Sequence, residues 1–433
     1  MTARDTALSV LIACRRQQAW SDGMLKHQIA KDRLDRRDAA LATRLCFGVL
    51  QNRLLLDHWI SLFLKGKPES LQPVVLDILR LGVCQLKFSD KLPPSAVVNE
   101  AVEQAKRFAN PKAAGLVNAV LRAMLRKPER LTLPDDLWLR YSHPKELTEL
   151  LRQSVGDERL EALLSSHNEA PDACLQINTL RCTAAQAEES LASEGFSAKP
   201  HPWLPDCLLL TGGSLEQSEA FREGFIYAQD AAARLAVLAA LPQPDMRVLD
   251  CCAAPGGKSF AAAICMKDRG ELISCDIHAH KLELIRKGAE RLRLSCIRPR
   301  LQDATEPVPE WKQSFDAVLA DVPCSGLGVI RKKPDIRYKN LAQTERLPAL
   351  QGKILSVQAD YVRPGGVLLY STCTVLKREN EAVVDAFLRE RQDFVCEPFR
   401  LPGELFAERG MLTLLPCEHG TDGFFMAKLR RRT

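Results

Sequence analysis

The sequence predicts a multidomain protein: an all-α front domain, a small α+β module that links it onward, and a C-terminal α/β domain built on a Rossmann-like sheet. Three observations carry this. Apolar residues recur at helical spacing up to about residue 130; prolines punctuate short apolar stretches from there to about 230; strand-like runs then alternate with helical segments. A chain of 433 residues is too long for one ordinary core. The expected domains are 1–135, 136–230 and 231–433.

In the front domain the sets Leu41, Leu45, Gly48, Val49 and Val75, Leu76, Leu79, Val83 fall three and four residues apart, which places them on one face of a helix. Gly66-Lys67-Pro68, Pro93-Pro94-Ser95 and Asn110-Pro111 mark helix ends, with Ser95 as an expected N-cap. In the middle module, Pro134, Pro144, Pro171, Pro200, Pro202 and Pro205 separate runs such as Cys174–Asn178 and Cys207–Leu210. A helix over about 183–194, stopped by Gly195 and followed by a short strand pair, suits a ferredoxin-like module. In the last domain Arg247–Asp250, Leu272–Asp276, Asp316–Asp321 and Gly366–Tyr370 read as strands of a parallel, doubly wound sheet. Helices at Lys281–Arg293 and Glu379–Arg389 cover its faces. Such sheets bind ligands beyond the carboxyl ends of their strands, so the Asp and Cys residues there are the candidates for chemistry.

Charge is uneven along the chain. Up to residue 140 there are 23 Lys and Arg against 14 Asp and Glu, and beyond it 37 against 40. A basic front suits a phosphate backbone as partner, and equally a solvated helical face. The apolar run at the N-terminus is broken by Arg15 and Arg16, and no later stretch stays uncharged long enough to cross a bilayer. A soluble, cytoplasmic, monomeric protein with no membrane partner is expected. The 15 cysteines are scattered, without a CxxC pair or a Cys/His ligand spacing, so neither a metal site nor a disulfide framework is expected. Most read as small buried hydrophobes; Cys252, Cys324 and Cys373, at strand ends beside Gly, Pro, Ser or Thr, stand apart.

The run Cys252-Ala253-Ala254-Pro255-Gly256-Gly257-Lys258 joins a strand to a helix through residues with almost no side chain. Backbone N–H groups there can approach a ligand closely. Gly257-Lys258-Ser259 also fits the end of a phosphate-binding Walker loop, but the leading glycine of that loop would fall at Cys252, and Pro255 removes a donor that phosphates need. S-adenosylmethionine is therefore favoured over a nucleoside triphosphate. Asp276, ending the second strand, can accept hydrogen bonds from ribose hydroxyls, and Asp303, after the third, can hold an adenine edge.

Asp321-Val322-Pro323-Cys324 closes the fourth strand, and Ser371-Thr372-Cys373 the fifth, so a carboxylate and two thiols converge on one edge. Amino-group methyltransferases often place an aromatic ring where Cys324 stands, and its replacement by a thiol points to a different reaction. Carbon 5 of cytosine is a poor nucleophile until something adds at carbon 6, and a thiolate does this well. Charge then passes toward N3, where Asp321 can stabilise it. One thiol can attack while the other assists the elimination that follows; the residues alone leave open which does which.

Cys252–Ser259, Asp321–Gly326 and Ser371–Thr374 together resemble the RNA cytosine-C5 methyltransferases of the NOL/NSUN/RsmB family, and the similarity runs over essentially the whole chain. The resemblance implies a NusB-like front domain, S-adenosylmethionine as methyl donor, and 16S ribosomal RNA or an early small-subunit assembly intermediate as partner, modified at cytosine 967. It implies that Cys373 attacks the base and that Cys324 assists release. It extends the cofactor contacts over Cys252 to Lys258, Asp276, Asp303 and Asp321, and it matches Asn178 and Arg181 to an RNA-facing motif. Arg36, Arg37, Arg331, Lys332 and Lys333 become candidate phosphate contacts. Two other classes remain to be separated: a non-catalytic RNA-binding or antitermination factor on a degenerate methyltransferase fold, and an ATPase on a similar sheet. The retained Cys324, Cys373 and glycine turn argue against the first, and the missing glycine against the second.

Overall fold

The computed structural model describes residues 1–17, 20–89, 92–211 and 215–433, which fall into two compact units. The first comprises Met1–Glu169 together with Ile330–Lys339. It is helical, and the helix Pro73–Phe88 buries Leu76, Ile78, Leu79, Leu81 and Val83 among the surrounding helices. Two positions apart in that helix, apolar side chains are buried on opposing faces, as expected of a helix surrounded on all sides. Two of its three buried polar side chains are ion-paired: Arg80 forks onto both oxygens of Asp57 at 2.7 Å and reaches Asp77 at 2.9 Å. A charge so deeply buried persists only when matched in this way.

Asn110 caps the helix Pro111–Arg126 by accepting from the Ala113 N–H at 3.0 Å. Ser95, expected as a cap, is not one. The helix starts at Pro94, whose fixed φ and missing N–H suit a first helical position, and Ser95 lies inside it. The segment Ile330–Lys339 packs within this unit through Arg337, which is buried and donates to the carbonyls of Gln51 at 2.7 Å and His167 at 2.8 Å.

The second unit holds Ala170–Val329 and Asn340–Thr433. It begins with a small antiparallel sheet of β1 (Ala173–Ile177), β2 (Ser197–Pro200), β3 (Cys207–Thr211) and β4 (Ile226–Ala228), ordered β2-β3-β1-β4. The helix Ala184–Ser193 beside it starts from a capping box between Thr183 and Gln186.

The large sheet follows. Strands β5 (Arg247–Asp250), β6 (Glu271–Asp276), β7 (Ile297–Leu301), β8 (Phe315–Asp321) and β9 (Val362–Thr372) are parallel. After β10 (Phe394–Cys396) and the hairpin β11 (Phe399–Leu401)–β12 (Leu405–Ala407) come β13 (Met411–Leu414) and β14 (Phe424–Arg431). The order is β10-β14-β9-β8-β5-β6-β7, with β13 also on β14.

The sheet is thus mixed rather than all parallel as the sequence suggests. β14 runs antiparallel to β9, and the chain between them carries the helix Glu381–Glu390 and strands β10 to β13 rather than a single crossover helix. Strand order reverses between β5 and β8, which opens a crevice at their carboxyl ends. Among the described residues no helix is long and apolar enough to cross a membrane.

Glu397 fastens the antiparallel edge. It pairs with Arg430, and with Lys428 at 2.8 Å, both on β14. The Arg430 hydrogen bond leads in holding its carboxyl down at about 2, against an ordinary 4.5 and despite partial burial. The stabilisation is therefore complete above pH about 4.5 and fades as pH falls toward 2. Glu397→Gln is expected to cost about 1–2 kcal/mol at pH 7 after allowance for solvent screening, and nearly nothing at pH 2, read by urea unfolding at both pH values.

Candidate active site

β5 delivers Asp250 to the crevice, and the turn after it leads into the helix Gly257–Cys265. At Gly256, φ is +114°, and a Cβ would lie 2.4 Å from the Phe260 ring, so only glycine fits. Asp250 is fully buried. Its Oδ2 accepts from Ser259 Oγ at 2.7 Å, Ser259 in turn accepts from Ser274 at 2.8 Å, and its Oδ1 has no hydrogen-bond partner. Burial pushes this carboxyl up to about 7, offset in part by the Ser259 hydroxyl.

A cavity of about 200 Å³ opens beside it, lined by Gln229, Asp250, Cys252, Ala253, Ala254, Pro255, Gly257, Lys258 and Asp321, among others. Neither amide atom of Gln229 has a partner, although both are buried. Three buried polar atoms left unpaired around one cavity would cost several kcal/mol if nothing ever met them.

Lys258 does not point along the turn as a phosphate-binding lysine would. Its Nζ bonds Asp321 Oδ2 at 2.7 Å, while Ser371 Oγ donates to Asp321 Oδ1 at 2.8 Å. Burial opposes the ammonium charge, but the Asp321 carboxylate outweighs it and holds Lys258 above its ordinary range.

Asp276 and Asp303 are not among the residues lining this cavity; Asp276 ends β6 and Asp303 follows β7. Asp276 accepts from the His278 N–H at 2.9 Å through Oδ1. Asp303 accepts from the Thr305 N–H and hydroxyl at 2.8 Å, also through Oδ1, and these bonds keep its carboxyl below the usual range. Each spends one oxygen on a turn, and its Oδ2 makes no hydrogen bond among the described residues.

β8 and β9 are neighbours, with Asp321 in register with Ser371, so the loops that follow them lie side by side. Cys324 and Cys373 meet there with their sulfurs 3.1 Å apart. Gly328 donates to the Cys373 carbonyl at 3.0 Å and accepts from the Gly423 N–H at 2.9 Å. A Cβ on Gly328 would fall 1.8 Å from the Gly423 oxygen, so this crossing needs glycine.

The two thiols are unequal. The hydrogen bond from Cys324 holds Cys373 below the ordinary thiol range, and Lys258 adds to this against burial and the Asp321 charge. Cys324 is pushed up by the same bond, by burial, and by the charges of Cys373 and Glu379.

Comparisons with known proteins bear on this arrangement. Residues 237–430 match the family described as 16S rRNA methyltransferase RsmB/F, residues 1–126 the NusB family, and residues 143–214 the ferredoxin-like domain of RsmF/B-like methyltransferases. A Bacillus subtilis protein named probable ribosomal RNA small subunit methyltransferase B is 36% identical over 100% of this chain and 99% of its own length. This chain belongs to the RsmB/F family of 16S rRNA methyltransferases.

The RsmB/F relative from Vibrio cholerae, named ribosomal RNA small subunit methyltransferase B, is 35% identical over 93% of this chain and 92% of its own. Among solved structures, PH0851 is similar with a TM-score of 0.81 at 25% identity, covering 100% of this chain and 99% of that one. A methyltransferase homolog from Pyrococcus horikoshii gives 0.59 at 27% identity, over 68% and 98%. RsmB/F membership identifies the front helices as a NusB-like domain and the large sheet as the methyltransferase domain, as the sequence led one to expect.

Asn178 is fully buried and faces no solvent: its Nδ2 donates to the carbonyls of Gly224 at 3.2 Å and Leu292 at 2.8 Å, and its Oδ1 accepts from the Leu180 N–H. It clamps a turn. Arg181 is half-buried with its guanidinium over the Phe225 ring. Arg36 and Arg37 are exposed at the start of the helix Arg36–Ser61, Lys333 is exposed, and Arg331 and Lys332 are half-buried. Sequence reasoning missed Gln229, Glu379 and Asn380 as site residues, and read Asp250 only as a strand end. The one local signal for Gln229 was its place just ahead of the helix Ala231–Ala240, which is no guide to a buried amide.

Proposed function

We propose that this chain transfers a methyl group from S-adenosylmethionine to carbon 5 of a cytosine in 16S ribosomal RNA, cytosine 967 by family expectation, through a covalent bond between Cys373 and carbon 6. The observation that carries the reading is the pair of sulfurs 3.1 Å apart beside the Lys258–Asp321 ion pair.

The residues present fit the methyl donor. The unpaired Gln229 amide and Asp250 oxygen suit the ammonium and carboxylate of its amino-acid end, the glycine turn suits close backbone contact, and the open oxygens of Asp276 and Asp303 suit ribose and adenine. When bound, S-adenosylmethionine supplies an electrophilic methyl group on a sulfonium. Gln229→Leu is expected to weaken its binding by about 1–2 kcal/mol, roughly tenfold, measured by calorimetry.

Cys373 gives up its proton to solvent and its sulfur bonds carbon 6. The electrons of the C5–C6 double bond move through the ring toward N3, which takes a proton from the Lys258–Asp321 pair. Carbon 5 is then a nucleophile and accepts the methyl group. As the S–C6 bond breaks, Cys324 passes its thiol proton to the departing Cys373 sulfur, the Cys324 thiolate so formed takes the carbon 5 proton, the C5–C6 double bond re-forms, and N3 returns its proton to the Lys258–Asp321 pair.

The basic front domain and the run Arg331, Lys332 and Lys333 grip RNA by shape and phosphate and present an unpaired or flipped cytosine. The enzyme acts as a cytoplasmic monomer, on free RNA or on an early assembly intermediate.

Incubation of unmodified 16S ribosomal RNA with labelled S-adenosylmethionine, followed by mapping of modified bases, tests the reading. Label on carbon 5 of one cytosine supports it. Label on an exocyclic amine or a ribose rejects it, and calorimetric binding of ATP in place of S-adenosylmethionine would favour the ATPase alternative.

A further inference from the structure

Neither sulfur-bearing loop is held by its strand alone. On the Cys324 side, Glu379 Oε2 accepts from the Ser325 N–H at 2.9 Å and from Gln351 Nε2 at 2.9 Å, and the same Gln351 amide donates to the Pro323 carbonyl at 2.9 Å. These bonds seize the backbone on both sides of Cys324. On the Cys373 side, Asn380 Oδ1 accepts from Thr372 Oγ1 at 2.6 Å, and its Nδ2 donates to the Thr374 carbonyl at 3.0 Å.

Those are the two neighbours of Cys373. The loops are also joined directly by Ser325 Oγ and Thr374 Oγ1 at 2.8 Å, and Tyr370 anchors the clamp by donating to the Glu379 carbonyl at 2.6 Å. Glu379 and Asn380 are both fully buried. A buried carboxyl satisfied by an N–H and an amide, with its Oε1 unpartnered, is a costly group to keep for packing alone.

We propose that Glu379 and Asn380 are the positioning residues of the transfer site, Glu379 setting the Cys324 loop and Asn380 the Cys373 loop, so that one rigid turn ahead of the helix Glu381–Glu390 keeps both sulfurs in register. The inference rests on the reading that both cysteines serve the reaction. The clamp bonds to groups that flank the sulfurs, and it acts through them. Being adjacent in the chain, the two residues cannot move independently, and a shift of the turn displaces both thiols together. A misplacement of about 1 Å at a reacting centre costs on the order of 100-fold in rate.

The test compares Glu379→Ala and Asn380→Ala with the conservative Glu379→Gln, which keeps an acceptor for the Ser325 N–H, in the full-length protein. The first readout needs no RNA. Diamide takes one hydrogen from each thiol as the Cys324–Cys373 bond forms and is itself reduced to the hydrazine, and peptide mass mapping follows the rate. The alanine variants are expected to couple about tenfold more slowly than the parent, and Glu379→Gln at nearly the parental rate.

The second readout is transfer itself. In the alanine variants kcat should fall about 100-fold while calorimetric affinity for S-adenosylmethionine stays within about threefold, with Glu379→Gln recovering most of the loss. Alanine variants that are folded, couple at the parental rate and turn over normally overturn the proposal. Should they not fold, Thr372→Val removes the hydroxyl that donates to Asn380 Oδ1 beside Cys373, and unchanged coupling in that variant overturns the proposal equally. A Cys373→Ala control separates the two ideas: activity without that sulfur rejects the covalent reading, while the coupling rate still decides the clamp.

Discussion

Cys373→Ala is expected to lower methyl transfer to 16S ribosomal RNA by at least about 10⁴-fold while leaving affinity for S-adenosylmethionine within about threefold of the parent. The reason is chemical. Carbon 5 becomes a nucleophile only while sulfur is bonded to carbon 6, and no other group at the site is poised to replace it: Cys324 is pushed up by its bond to Cys373, by burial and by the Glu379 charge, of which burial and the charge persist in the variant, and Asp321 is committed to Lys258 and Ser371. The cofactor should bind normally because Cys373 is not among the residues that line the cavity. Incorporation of labelled methyl and calorimetry are the measurements, and methylation at the parental rate without this sulfur would falsify the mechanism.

Cys324→Ala should do the reverse of silencing the first step. Attack and methyl transfer proceed, but elimination slows by about 10²–10⁴-fold, the range in which a positioned acid or base contributes. Protein joined to RNA then accumulates, visible as a slow band on a denaturing gel that depends on S-adenosylmethionine. In the double variant with Cys373→Ala the band disappears. Normal turnover by Cys324→Ala, with no adduct, would remove Cys324 from the release step.

Much of this site is legible along the chain because its parts are local. A strand ending in Asp, a turn of residues without side chains and a helix start are contiguous at Asp250–Ser259, and the physics of close backbone approach can be read from them directly. The two cysteine loops are equally plain as strand ends. What sits between elements is not legible. Asn178 looks like an RNA contact in its own segment and is consumed by carbonyls from Gly224 and Leu292. Ser95 is a good cap in composition, yet Pro94 takes the first helical position ahead of it. The last strand, Phe424–Arg431, is not legible as a partner of β9, because its antiparallel pairing joins segments separated in the chain by a helix and four short strands.

The sequence by itself determined the three-part organisation, the glycine turn, and the presence of two thiols and a carboxylate at neighbouring strand ends, since apolar period and turn chemistry act over a few residues. Only the tertiary structure decided how those groups differ. Parallel pairing of β8 with β9 brings Cys324 and Cys373 into contact, Lys258 arrives from another helix to pair with Asp321, and Glu379 and Asn380 close on both loops from a third element. Proton affinity and placement depend on neighbours that are distant in the chain, and those neighbours exist only once the sheet has formed.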